Sequence, residues 1–554
     1  MAKRLLLVLV FLLVLIPLLS YPLPSPAQQQ APAAEDKPDA IEAVIQLLKE
    51  KGIITEEEAA KVIERNRRQA AAAAAKAPVI TITPGPGAGG GEQPQGAEAA
   101  EQAKKEVEKL REDLDTAKEE INKRAESTDS KVEALEKKVN QDLVLKTARS
   151  SWAERIRWGG DIRLRYQGDY YGNNNAVLAQ PGNPTQILNT THNNSREIYR
   201  VRLALNADLL DEGDSNVGKV EVGIMVTTGN ENNPVTTNST LGDYYNNDKI
   251  VLNQGYLKWT YKPHETLWGR APQVSLTGGR MPNPFFSTNL VWDSDLSFEG
   301  AVFQLQTDTL PTNPWRAFLA LGAFPLQNVE FSSNDKWLYG GQLGFQYNQP
   351  LGLSAKFAVS YYDYINIVGQ PNDPLSPGEK DYTAPLFQQK GNTLMDIDPG
   401  SGIKTALASD FRELDFVGLL DYSYWDPIHI QLLGDYVINL GFDQSAVSRR
   451  AGVHVPTENY GYQVGLTVGY PETLYFGDWN LSFTYRYLQA DAVVDAFTDS
   501  DFHGGGTNCK GWILGGNLGL YKNVWLGARW MTSDQISGPP LAIDTLQVDL
   551  NARF

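Results

Sequence analysis

Two pairs of arginines are each spaced two residues apart, Arg163 with Arg165 and Arg200 with Arg202. One short segment carries Asp293 and Asp295 at the same spacing. On an extended chain this spacing puts both members of a pair on one face. A guanidinium does not give up its proton near neutral pH, so such a ladder can steer anions but cannot act as a base. Carboxylates facing it would set a transverse field able to orient a polar solute in passing. Asp421 and Asp435 fall on the polar faces of later segments. A simpler reading leaves all eight as solvated wall charges.

Bond-making chemistry has little support. The five histidines, His192, His264, His429, His454 and His503, form no HExxH arrangement, and neither a GxSxG elbow nor a phosphate-cradling loop is present. A Ser/His pair assembled only in space stays open. The acidic run Asp491, Asp495, Asp499 and Asp501 lacks the calcium-loop pattern and its glycine, so a solvated loop is expected there. No metal or cofactor is implied. The single cysteine, Cys509, excludes a disulfide framework. A net charge of −17 argues against a nucleic-acid partner.

The elements that must carry these charges have a period of two. In the last segment Leu546, Val548, Leu550 and Ala552 alternate with Thr545, Gln547, Asp549, Asn551 and Arg553, and the chain ends on Phe554. One face is apolar and the other wet, as a lipid-facing strand requires. In the first strand Ile162, Leu164 and Tyr166 oppose Arg163, Arg165 and Gln167; in the second, Val201, Leu203 and Leu205 oppose Arg200, Arg202 and Asn206. About sixteen such strands follow one another from 156–170 to 544–554. Connections after even strands are mostly short, as at Asp426-Pro427 and Lys522-Asn523, while several after odd strands are long and polar, as at 171–195, 364–412 and 491–509. A soluble sandwich has no reason to sort its loops by parity. A barrel between two unlike compartments does.

The sequence therefore predicts a mainly β chain, a 16-stranded antiparallel transmembrane barrel over 152–554. Arg or Lys on the lipid face costs ~2–4 kcal/mol at midplane, so the charged faces must point inward. A barrel of this size is too wide for side chains alone to fill, and a watery lumen follows. The third outward connection, 281–295, holds two prolines, three aromatics and two carboxylates, too apolar for a loop free in water. It is expected to fold inward, with Asp293 and Asp295 facing the arginines.

Ahead of the barrel, Lys3-Arg4 precede an apolar run from Leu5 to Leu19 and a Ser25-Pro26-Ala27 site, the order of a cleaved export signal over 1–27. That run falls short of the ~20 residues a spanning helix needs. A retained anchor is the alternative, and no cysteine follows to take a lipid. Residues 39–69 read as a helical hairpin, with Lys51-Gly52 as a stop and a capping box from Thr55 to Glu58. Residues 70–99 form an Ala/Pro/Gly linker, and 100–146 a short coiled coil with Val107, Leu110, Leu114, Ala117 and Ile121 on its seam. The eleven-residue step from Ile121 to Val132 is a stutter, and a lone solvated helix competes with this reading.

Three stretches carry a family resemblance: Trp152-Ala-Glu-Arg-Ile-Arg-Trp-Gly-Gly-Asp-Ile-Arg-Leu-Arg-Tyr166, Gly279-Arg-Met-Pro-Asn-Pro-Phe-Phe286 with Leu290-Val-Trp-Asp-Ser-Asp-Leu296, and Lys51-Gly-Ile-Ile-Thr-Glu-Glu-Glu-Ala59. They resemble the putative porin family over the mature chain apart from its linker. The resemblance implies a sixteen-stranded outer-membrane porin, often a homotrimer, with no assigned substrate. The watery lumen leads to the expectation of passive diffusion of ions and small hydrophilic solutes, with outer-membrane lipid and lipopolysaccharide around the barrel. Resemblance to other outer-membrane barrels also implies that Phe554 serves as the insertion signal read by the barrel-assembly machinery, while the sorting of long and short connections puts the helices in the periplasm. A barrel that only anchors the envelope through its coiled coil is the second reading.

Overall fold

The computed structural model describes residues 155–180, 183–210, 218–263, 272–307, 314–330, 332–349, 352–398 and 403–554. The expected export signal, helical hairpin, linker and coiled coil lie outside these residues.

Sixteen long strands form within them: β1 (Ile156–Tyr171), β2 (Asn194–Leu210), β3 (Lys219–Thr227), β4 (Val251–Tyr261), β5 (Pro272–Pro282), β6 (Ser297–Thr307), β7 (Trp315–Gln327), β8 (Lys336–Asn348), β9 (Leu353–Ile365), β10 (Arg412–Trp425), β11 (Ile428–Asn439), β12 (Tyr460–Gly469), β13 (Trp479–Leu488), β14 (Cys509–Tyr521), β15 (Val524–Gln535) and β16 (Ala542–Arg553). Each pairs antiparallel with the next. β16 returns to β1, in register from Asp161 opposite Arg553 to Tyr171 opposite Ile543. The sheet is thus a closed barrel, and closure leaves no unpaired edge to present to hydrocarbon. Small additions, including the helix α1 (Gln444–Ala451) and two short hairpins, sit in the long connections.

Period-2 alternation fixes which residues see lipid. Ile162, Leu164 and Tyr166 of β1, Leu203 of β2, Leu257 of β4, Phe303 of β6, Leu343 of β8 and Leu550 of β16 are all exposed on the outer face. An aromatic belt crosses β11 to β14 near the long-loop rim: Tyr436, Tyr460, Tyr487 and Tyr462 stack in series, and Tyr485 joins them to Trp512. Such amphipathic rings are at home at headgroup depth. Arg165, Gln167 and Asp169 of β1 alternate with the exposed set and are buried, so the polar face points inward.

The lumen is not uniformly wet. Parts of four long connections fold into it: 228–250, which brings Val235, Thr237 and Asn238, and three here called L3 (283–296), L5 (366–411) and L7 (489–508). Five inward residues of β6 to β9 make an apolar patch against L3: Phe298, Val302, Phe324, Leu338 and Tyr362 are all buried. Phe285 of L3 makes edge contacts with Phe298, Phe324 and Tyr362 at 5.8, 6.0 and 5.2 Å between ring centres. Trp292 lies 4.9 Å from Phe298, 5.1 Å from Tyr362 and 6.0 Å from Phe497 of L7. The water-filled bore expected from barrel width is therefore narrowed by an apolar plug on one wall. Burying each such ring stabilises the loop by roughly 1.5–3 kcal/mol. The expected loop boundary also shifts, since Met281 and Pro282 belong to β5.

Candidate functional site: a charged gap in the lumen

L3 is fastened on both flanks. Thr288 donates its hydroxyl to Asp435 of β11. On the other side it is stitched to L7: the Asp293 amide donates to the Phe497 carbonyl at 2.8 Å, the Ser500 amide to Asp293 Oδ2 at 2.8 Å, and Thr498 Oγ1 to the Leu290 carbonyl at 2.8 Å. L5 holds L7 in turn, with Asn392 Nδ2 donating to the carbonyls of Ala490 and Val493 at 2.6 and 2.9 Å. Lys390 of L5 is half-buried and donates to the carbonyls of His503 and Gly505. Burial pushes that ammonium down to about 8.

Against the opposite wall, formed by β1, β2 and β13 to β16, a cavity of about 280 Å³ remains. Gly515 and Gly527 help line it, and a methyl group at either would crowd Ser482 or Asn517. The predicted residues Arg163, Arg165, Arg200, Asp293 and Asp295 all border this space. Arg202 reaches it through Asp295. Asp295 Oδ1 accepts from Nη1 of both Arg200 and Arg202 at 3.4 Å, and its Oδ2 accepts from Thr237 Oγ1 at 3.2 Å. The same two arginines hold Asp161 at 2.8 and 2.7 Å.

Arg165 is fully engaged. It grips Asp549 with Nε at 2.7 Å and Nη2 at 2.9 Å, and Asp501 of L7 at 3.2 Å. Arg529 takes the other side of Asp501 at 2.6 Å. Burial opposes ionisation of Asp501, but the Arg165 and Arg529 guanidiniums hold it well below the usual carboxylate range. Arg163 differs. It faces Arg200 across the β1–β2 register, donates only to the neutral Asn238, and keeps a buried Nε without a partner. Asp293 has no cation against it among the described residues: burial first, then the Asp499 carboxylate, raise it to about 8 despite the amides of Asp295 and Ser500.

Two predicted residues stand elsewhere. Asp421 lies near the short-turn rim, accepting from Gln431 at 3.2 Å and paired with His429 Nδ1 at 2.8 Å. Asp435 is buried beneath L3 as its anchor. Neither borders the gap. Asp501 was missed, because its acidic run reads as a solvated loop. The available signal was the apolar content around it, Val493, Val494, Ala496, Phe497 and Phe502. L7 shares that feature with L3. Phe554 lies at the barrel seam, where its amide and carbonyl pair with those of Gly160 at 3.1 and 3.0 Å.

A closed barrel with a lipid face, an inward loop and a charged gap defines an outer-membrane channel. The family model described as "Putative porin" matches residues 38–554, and the chain belongs to that family. Among solved structures the chain is similar to OprB of Pseudomonas putida at high pH, with 11% identity over 73% of this chain and 95% of that one and a TM-score of 0.40. It is similar to OmpF of Salmonella typhi in complex with daunomycin, with 11% identity over 72% and 97% and a TM-score of 0.39. The outer membrane channel DcaP of Acinetobacter baumannii gives 13% identity over 72% and 97%, with a TM-score of 0.38. No curated protein matches the chain.

Proposed function

We propose that the lumen conducts ions and small hydrophilic solutes by passive diffusion, and that the gap between L3, L7 and the β13–β2 wall is its narrowest point. The observation carrying this reading is the gathering of Arg163, Arg165 and Arg200 with Asp293, Asp295 and Asp501 around one polar cavity of about 280 Å³. Opposed charges there orient a dipolar solute while water keeps contact with both walls. The long connections face outside and the short turns the periplasm, so a solute meets the gap from the L3–L7 side. Assembly as a homotrimer, contact with lipopolysaccharide, and a periplasmic place for the helical segments complete this reading. A barrel acting only as an anchor needs no such gap. Replacing both Asp293 and Asp295 by Asn is expected to move the reversal potential in a KCl gradient toward anion preference. An unchanged reversal potential and unchanged single-channel conductance in a planar bilayer would overturn the assignment of the gap.

A further inference from the structure

Below L3, toward the short-turn rim, lies a second and larger space of about 460 Å³. Its lining contains three cations, Lys258 of β4, Arg316 of β7 and Lys356 of β9, and no carboxylate. The contrast with the gap above is sharp, since every arginine there except Arg163 has a carboxylate against it. Arg316 has no hydrogen-bond or ion-pair partner among the described residues, and its Nε is buried unsatisfied. The Lys356 ammonium sits 4.0 Å above the Phe286 ring of L3 and 5.1 Å from Phe318, a contact that offsets only part of its lost hydration. Two carboxylates on the neighbouring wall are engaged elsewhere. Glu221, opposite Lys258 in the register, pairs with Arg157 at 2.8 Å and Lys219 at 3.6 Å. Asp421 is held by His429 and Gln431.

The register shows how the cations converge. Arg316 stands opposite Gln346, and Gln346 opposite Lys356, so both charges share one row two strands apart, roughly 10 Å between backbones. Like charges gathered without a counterion destabilise a fold unless something neutralises them. A guanidinium fork and two ammonium groups suit an acceptor with several oxygens and more than one negative charge. Gln304 and Gln342 also line the space, where amide groups can meet further oxygens or hydroxyls. Its volume lies within the usual range for small-molecule sites, about 300–1,000 Å³.

We propose that this chamber is a binding site for small dianionic oxyanions, held by Lys258, Arg316 and Lys356 beneath L3. The site deepens the channel reading and rests on it for access, because a soluble anion reaches the chamber only through the lumen or its short-turn mouth. Because Phe286 belongs to L3, an anion that draws the Lys356 ammonium off that ring also acts on the base of the loop.

The test is equilibrium binding of labelled inorganic phosphate, as hydrogen phosphate at pH 8, to the detergent-solubilised full-length chain. The wild type is expected to show one saturable site per chain that survives excess chloride. The double variant R316Q/K356Q is expected to bind about tenfold or more weaker, with heat-modifiable gel mobility showing that the barrel still forms. K258Q alone, which leaves the shared row intact, is expected to give a smaller loss. Absence of saturable binding by the wild type, or equal binding by a folded double variant, would overturn the proposal. Conductance in KCl alone reports separately on the channel reading, since it needs no phosphate.

Discussion

At the scale of single residues, the charge of the gap turns on two groups that lack an opposite partner. Arg163 is positive at any physiological pH. Asp293, raised to about 8, is neutral below that value and negative above it. The groups facing Asp293 are the amides of Asp295 and Ser500 and the carboxylates of Asp295 and Asp499. The excess charge at the gap is thus positive near pH 6 and cancelled near pH 9.5. The permeability ratio of chloride to potassium is expected to fall across this interval, with D293N losing most of the fall. Lys390, lowered to about 8, and Asp495, raised to about 7, titrate nearby. Both persist in D293N, so the difference between the two proteins isolates Asp293. A pH profile identical in wild type and D293N would show that this carboxyl does not sense the permeating ions. Linkage has a definite sign here. A carboxyl raised on folding favours the folded state below its ordinary value near 4, and that contribution is lost as pH climbs toward 8.

At the scale of elements, L3 and L7 are one unit joined by backbone and hydroxyl hydrogen bonds and by Trp292 against Phe497. Truncating Trp292 to Ala removes a ring packed against Phe298, Tyr362 and Phe497, a loss on the order of 3–5 kcal/mol for such core substitutions. The strand ladders do not depend on that ring, so the barrel is expected to fold while L3 loosens. Single-channel conductance should rise and become noisier, and an unchanged, quiet conductance would mean that L3 does not limit flow. The strands themselves were legible in the sequence because their physics is local, an apolar residue toward lipid and a polar one toward the lumen at every second position. L3 was legible for a related reason: Phe285, Phe286 and Trp292 are too apolar for an outer loop. L7 was not. Its partners, Asn289 and Asp293 of L3, Asn392 of L5 and Arg165 of β1, are between 98 and 336 residues away in sequence. No local pattern reports contacts across such distances. For the same reason Asp501 reads as solvent-facing, although two arginines hold it inside the barrel.

At the scale of the whole molecule, the barrel exists only if β16 finds β1, the pairing with the greatest separation along the strand order. Its register places Arg165 opposite Asp549 and Arg163 opposite Asn551. A slip of β16 by one residue would send Asp549 into lipid and Leu550 into the lumen, leaving Arg165 of β1 opposite an apolar side chain. Closure and the charged gap are therefore one event, and Phe554 locks its last step. Its amide and carbonyl both pair with Gly160, and its ring lies where a Cβ on Gly160 would stand, 2.7 Å from the nearest ring carbon. Deleting Phe554 removes two seam hydrogen bonds, together worth roughly 1–3 kcal/mol, and the ring contact with them. Across a barrel of sixteen strands this is a small fraction of the pairing, so a chain already closed should stay closed. The deletion is expected to act on assembly instead, lowering the fraction that becomes heat-modifiable during refolding into lipid vesicles, while barrels that do close keep normal conductance. Replacing Gly160 by Val, which puts a branched side chain against both that ring and the Arg202 carbonyl oxygen of β2, is expected to lower the refolded fraction as well. If both variants refold with wild-type yield, the seam forms without help from its terminal residue, and register must be set by the Arg165–Asp549 pair alone.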